Sequence, residues 1–130
     1  METLPSITIH FATDGLAGIE LYNQGLYWES HEAWEAVWHT KKGREWAFYQ
    51  AMIHVAAALL KIDRQQFVGA HSQLTRALQR FSVAGPMETG TNDRAFRAGA
   101  KACRDELLRC GPEGLGDFNR ALYPRVVILD

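Results

Sequence analysis

The feature that most constrains the fold is an apolar stretch from Ala47 to Leu60. A helix formed by this stretch is apolar on nearly every side, so other helices must surround it. The stretch is shorter than the roughly 20 residues that a membrane-spanning helix needs, and it is interrupted by the polar residues Gln50 and His54. We therefore interpret it as a buried core helix.

Apolar residues at spacings of three and four predict further helices on both sides of this stretch, and glycine or proline ends most of them. Thr13 or Asp14 is the predicted cap of the first helix. We predict helices at about residues 13–24, 27–40, 44–62, 65–81 and 92–110, a loop at 85–92 and a helical turn within 117–122. Residues 4–11 and 126–129 are predicted to be extended. The predicted fold is all-α, a compact bundle of about five helices with short extended N- and C-terminal arms.

The composition of the chain is typical of a globular protein. A chain of 130 residues with 22% charged and 47% hydrophobic residues is expected to form one globular domain over residues 1–130. Cys103 and Cys110, seven residues apart on one predicted helix, are too far from each other for a disulfide. The N-terminal residues have neither a basic region nor a long apolar region, so we do not expect a secretory signal. Together with the two thiols, which we expect to be buried, this predicts a cytoplasmic protein.

Charge is unevenly distributed, although the formal net charge is only −1. Acidic residues are in excess up to residue 63, and basic residues are in excess over 64–109. This pattern is compatible with a homo-oligomer that pairs head to tail, with a basic face for a polyanion, or with ordinary solvated helix faces. No arginine run is interleaved with aromatic residues, so we expect neither nucleic acid nor a membrane as a partner.

The most unusual segment of the sequence is the second predicted helix. At 100° per residue, three tryptophans, two histidines and two glutamates fall on one broad arc of this helix, and Ser30 lies opposite. Because tryptophans favour burial, we expect His31 and Glu35 to be buried between them. The arc contains Trp28, His31, Glu32, Trp34, Glu35, Trp38 and His39.

The third predicted helix carries polar partners for this arc. Gln50 and His54 are four residues apart, so they share one face. The short link between the two helices makes them antiparallel neighbours, which brings both faces together. We predict a buried cluster of His31, Glu32, Glu35, Trp38, Gln50 and His54.

Three interpretations of this cluster remain open. It can be a satisfied polar network that fixes helix pairing, or the floor of a pocket for a small polar ligand. It can also be a metal site with His31, Glu35 and His54 as ligands, helped by Glu32 or His71. His31-Glu32-Ala33-Trp34-Glu35 differs from the zincin motif H-E-x-x-H because glutamate replaces the second histidine.

The spacing of these residues resembles a known family. The pattern N-x-G-x-aromatic-x-x-x-H-E-x-x-E-x-x-W, followed by glutamine in an alanine-rich helix, is similar to that of domain-of-unknown-function family 309, whose members are small, all-helical and mostly prokaryotic. Its positions are Asn23, Gly25, Tyr27, His31, Glu32, Glu35, Trp38 and Gln50. The resemblance implies an all-helical fold and supplies no activity, substrate or cofactor.

The biochemical function is not determined by these patterns. Our best hypothesis is a small cytosolic module that binds a polar ligand or a protein partner through the cluster. The alternative is a metal-dependent hydrolase that uses the same residues. We expect no cofactor and no metal, since the family often carries glutamine at the position of His54 and glutamine is a poor ligand for transition metals.

Overall fold

The computed structural model describes residues 4–129 and confirms the all-α bundle with extended arms at both ends. Two turns of 3-10 helix, Leu115–Asp117 and Arg120–Leu122, follow the last α-helix. The α-helices are α1 (Phe11–Asp14), α2 (Leu16–Asn23), α3 (Tyr27–Trp38), α4 (Gly43–Asp63), α5 (Phe67–Ala84) and α6 (Asp93–Cys110).

Helix α4 lies at the centre of the bundle, as its apolar sequence predicts. Ten of its residues are buried, and helices α3 and α5 pack against it on either side. Helix α6 packs against α5, and Phe11, Trp34, Phe48 and Tyr49 form an aromatic cluster in the core. Within residues 4–129, no helix has the length and apolar character to cross a membrane.

The first predicted helix is in fact two helices, which is why the described chain has six α-helices rather than about five. Helix α1 begins at Phe11, so Thr13 and Asp14 do not cap it, and the Thr13 hydroxyl instead donates to the His10 carbonyl. The break falls at Gly15, whose carbonyl accepts a hydrogen bond from Trp34 Nε1 at 3.0 Å. A contact from a distant helix therefore coincides with the interruption, and local periodicity does not reveal it.

The two extended arms are fixed to the helices by backbone pairing. Strand β1 (Ile7–Thr8) runs parallel to strand β2 (Met87–Glu88), which lies in the segment predicted as a loop. Near the C-terminus, the Asn23 amide donates to the Val126 carbonyl and accepts from the Val126 N–H, at 2.7 and 3.0 Å. Both cysteines are free thiols, as expected from their separation.

Candidate functional site

Helix α3 is rotated relative to the arc that the sequence predicts to be buried. Trp34 and Ser30 are fully buried, whereas Trp28 is 52% exposed and His39 and Glu32 are exposed. The prediction that Ser30 lies on the side away from the core is therefore wrong. The small Ser30 side chain lies one turn before Trp34, on the side of α3 that faces the core.

An open pocket of about 210 Å³ lies between one side of α3 and one side of α4. Five of the six residues predicted for the cluster line it, together with Ile53. Glu32 is the exception, since its side chain points to solvent and does not line the pocket. The lining residues are His31, Glu35, Trp38, Gln50, Ile53 and His54.

Three polar atoms of the pocket residues are buried and have no hydrogen-bond partner within residues 4–129. They are His31 Nδ1, Trp38 Nε1 and Gln50 Oε1. Buried polar groups in native proteins are almost always hydrogen-bonded, and each one left without a partner costs about 1–3 kcal/mol. Three residues with such atoms line the same pocket, which indicates a place where further hydrogen bonds can be made.

The expected closed network between the two helices does not form. His31 Nε2 is 3.6 Å from Glu35 Oε2 on the same helix, and the His31 ring stacks on Trp28 with centroids 5.1 Å apart. The Glu35 side chain is 44% exposed, so the prediction that it is buried is wrong. In the described part of the chain, no side-chain hydrogen bond joins these α3 residues to Gln50 or His54.

Helix α5 contributes residues that the sequence analysis did not assign to the cluster. His54 Nδ1 lies 2.6 Å from Gln73 Oε1. With this amide oxygen as acceptor, Nδ1 carries the proton and Nε2 keeps its lone pair. Arg76 and Arg80 lie one and two turns further along α5. Burial lowers the pKa of His54 below its ordinary value, and the charges of Arg76 and Arg80 lower it further.

This shift predicts a pH-dependent stability. Above pH 6.5, the ordinary pKa of histidine, His54 is neutral in both states and the folded protein has its full stability. As the pH falls below 6.5, the unfolded chain takes up the proton first, so the free energy of unfolding decreases. Chemical denaturation between about pH 5 and pH 8 should show a weaker decrease for His54→Gln than for the wild type.

The control for this experiment is His10→Gln, because His10 is exposed and distant in sequence from the pocket helices. It should retain the pH dependence of the wild type. A His54→Gln variant with the complete wild-type pH dependence would show that His54 is not the group responsible.

The residues proposed as metal ligands do not form a ligand set. Among residues 4–129, no group of three or more histidine, cysteine, aspartate or glutamate side chains is arranged to hold one ion. His71, considered as an additional ligand, stacks on Phe67 instead. The hydrolase alternative therefore lacks the three-ligand arrangement of His31, Glu35 and His54 that it requires.

A second pocket, of about 310 Å³, lies between the C-terminal segment and the end of α2. Most of its polar groups are already paired within the chain. The Tyr22 hydroxyl donates to the Pro124 carbonyl, and the Tyr123 hydroxyl donates to Asp63. This pocket therefore offers fewer unpaired groups than the pocket between α3 and α4.

Comparison with known proteins gives a family match for the part of the chain that contains the pocket. Residues 16–73 match the family described as "Domain of unknown function (DUF309)", which confirms the resemblance of the sequence motif. No curated protein and no solved structure matches the chain. The matched segment runs from the start of α2 to Gln73 and includes every pocket residue. The chain is therefore similar to DUF309 over the segment that contains the pocket.

Proposed function

We propose that the pocket between α3 and α4 binds a small polar organic ligand. The observation that carries this proposal is that three of the residues lining one pocket each have a buried polar atom without a hydrogen-bond partner. We further propose that the chain acts as a single cytoplasmic domain, as its composition and thiols suggest.

The pocket chemistry limits the class of ligand. The Trp38 indole N–H can only donate a hydrogen bond, and the Gln50 amide oxygen can only accept one. A matching ligand therefore has both an acceptor and a donor within a few ångströms of each other. The volume of about 210 Å³ corresponds to about seven water molecules, which is smaller than pockets for drug-sized compounds.

The Trp38 indole provides a direct test. The chain has four tryptophans, so a ¹⁵N–¹H correlation spectrum contains few indole signals, and Trp38→Phe assigns the one from the pocket. The probe is a set of small amides, ureas, hydroxy acids and imidazoles, titrated one at a time. We expect at least one compound to shift the Trp38 signal in a saturable manner.

A matched pair of variants connects this shift to the pocket. Gln50→Ala removes the acceptor of a pocket-lining residue and should weaken binding by about fivefold or more, since one hydrogen bond is worth about 1 kcal/mol or more in a buried site. Gln79→Ala changes an exposed glutamine of α5 and should bind as the wild type does. The proposal fails if no compound shifts Trp38, or if both variants bind equally well.

A further inference from the structure

One side of α4 is incompletely covered by the bundle. Five residues on this side recur at spacings of three or four, and each is only half-buried. They face the space between α3 and α5, which flank α4, and we call the resulting surface the α4 groove. Its floor consists of Trp46, Gln50, His54, Ala57 and Lys61.

The two walls of the α4 groove carry opposite charges. Helix α3 contains three glutamates and neither lysine nor arginine, and Glu35 lines the pocket on its groove side. Helix α5 contains Arg76 and Arg80 and no acidic residue. The guanidinium of Arg80 lies 5.6 Å from the ring centroid of Trp46, which places this arginine on the groove side of α5.

We propose that the α4 groove is the interface between two copies of this chain, related by a two-fold axis parallel to α4. Such an axis places the acidic α3 wall of one protomer against the basic α5 wall of its partner, and the reverse. A two-fold axis perpendicular to α4 in the same plane would place α3 on α3 and α5 on α5. Like charges would then meet on both sides, so electrostatic complementarity selects the parallel axis.

Contacts within one protomer fix the positions of the charged residues along the direction of α4, which is also the direction of the two-fold axis. The hydrogen bond from His54 to Gln73 and the contact of Arg80 with Trp46 fix α5 relative to α4. Arg76 lies between Gln73 and Arg80, and so at the level of Gln50. Glu35 lines the same pocket as Gln50. The dimer therefore pairs Glu35 of one protomer with the partner's Arg76, twice by symmetry.

A second copy suits the α4 groove better than an unrelated helix does. The surface is self-complementary, with an acidic wall, a basic wall and a mixed aromatic and polar floor between them. The dimer also covers the open side of the pocket. It does not depend on the proposed ligand, because the charge arrangement exists in the chain alone.

Charge reversal tests this geometry in the intact chain. Sedimentation equilibrium is performed on the wild type, on Glu35→Arg and on Arg76→Glu. The wild type should be a dimer at micromolar concentrations. In each variant two like-charged contacts replace two ion pairs, so the dissociation constant should increase by about a hundredfold or more.

Mixing the two variants provides the decisive measurement. In a heterodimer, Arg at position 35 of one chain meets Glu at position 76 of the other, and the remaining native pair is unchanged. An equimolar mixture should therefore dimerise like the wild type although neither variant does so alone. Because a misfolded chain could not be rescued in this way, the mixture separates loss of the interface from loss of the fold.

Two exposed residues outside the α4 groove serve as controls. Glu29→Arg on α3 and Arg94→Glu on α6 make the same charge changes and should leave the wild-type dimer intact. A monomeric wild type throughout the micromolar range overturns the proposal. So does a dimer that resists both groove reversals, or a mixture that stays monomeric.

Discussion

Replacing Trp34 by alanine should lower the free energy of unfolding by about 3–5 kcal/mol, the range for large aromatic residues in cores. Trp34 is fully buried, and its ring lies 5.7 Å from the rings of both Phe11 and Tyr22. Its indole N–H also donates to the Gly15 carbonyl, which joins α3 to the chain between α1 and α2. Chemical denaturation monitored by circular dichroism measures the loss.

The matched control for Trp34→Ala is Trp28→Ala on the same helix. Trp28 is 52% exposed and stacks on His31, so its loss should cost about 1 kcal/mol or less. Equal losses for the two variants would contradict the rotation of α3 described above.

Gly18→Ala should be strongly destabilising, by about 2–3 kcal/mol, although alanine normally favours a helix by up to about 1 kcal/mol over glycine. Gly18 lies within α2, where an added Cβ would overlap Cδ1 and Nε1 of the Trp34 indole. The indole is fully buried against the rings of Phe11 and Tyr22, so we expect the steric cost to exceed the gain in helix propensity. Thermal or chemical denaturation gives the sign directly.

Gly69→Ala provides the contrasting case within α5. The nearest atom to an added Cβ at Gly69 is Cδ of Lys61, at 3.0 Å, and this flexible side chain can move aside. We expect Gly69→Ala to be neutral or slightly stabilising. In addition, Trp34→Phe should reduce the cost of Gly18→Ala, because the smaller ring leaves room for the methyl group. If Gly18→Ala is as well tolerated as Gly69→Ala, the close packing of α2 on Trp34 is not present.

Most of the fold could be predicted from the sequence because its helices have clear local signals. Helix α4 was predicted to within a residue at each end, since Gly43 marks its start and its apolar run is uninterrupted except at Gln50 and His54. The break at Gly15 and the parallel pairing of β1 with β2 could not be predicted. Both depend on contacts between residues far apart in the sequence, and helical periodicity contains no information about them.

Most of the residues that line the pocket could also be predicted, but the extent to which each is buried could not. Spacings of four residues place His31 beside Glu35 and Gln50 beside His54, whatever the rotation of either helix. Burial depends on that rotation, and the exposure of Trp28 shows that the count of tryptophans on one arc does not fix it. The effects of Gln73 and Arg76 on His54 depend on how far α5 is shifted along α4, which sequence spacing does not determine.

The attachment of the C-terminal segment by Asn23 has a consequence for how the chain folds. The two hydrogen bonds between Asn23 and Val126 join residues 103 positions apart, whereas the connections between α3, α4 and α5 are only a few residues long. Closing a long loop costs more conformational entropy than closing a short one, and contacts distant in sequence slow folding. We expect the helical hairpins of α3, α4 and α5 to assemble first and the terminal segment to dock afterwards, so that transient opening of the native protein begins at Val126 while the pocket helices stay paired.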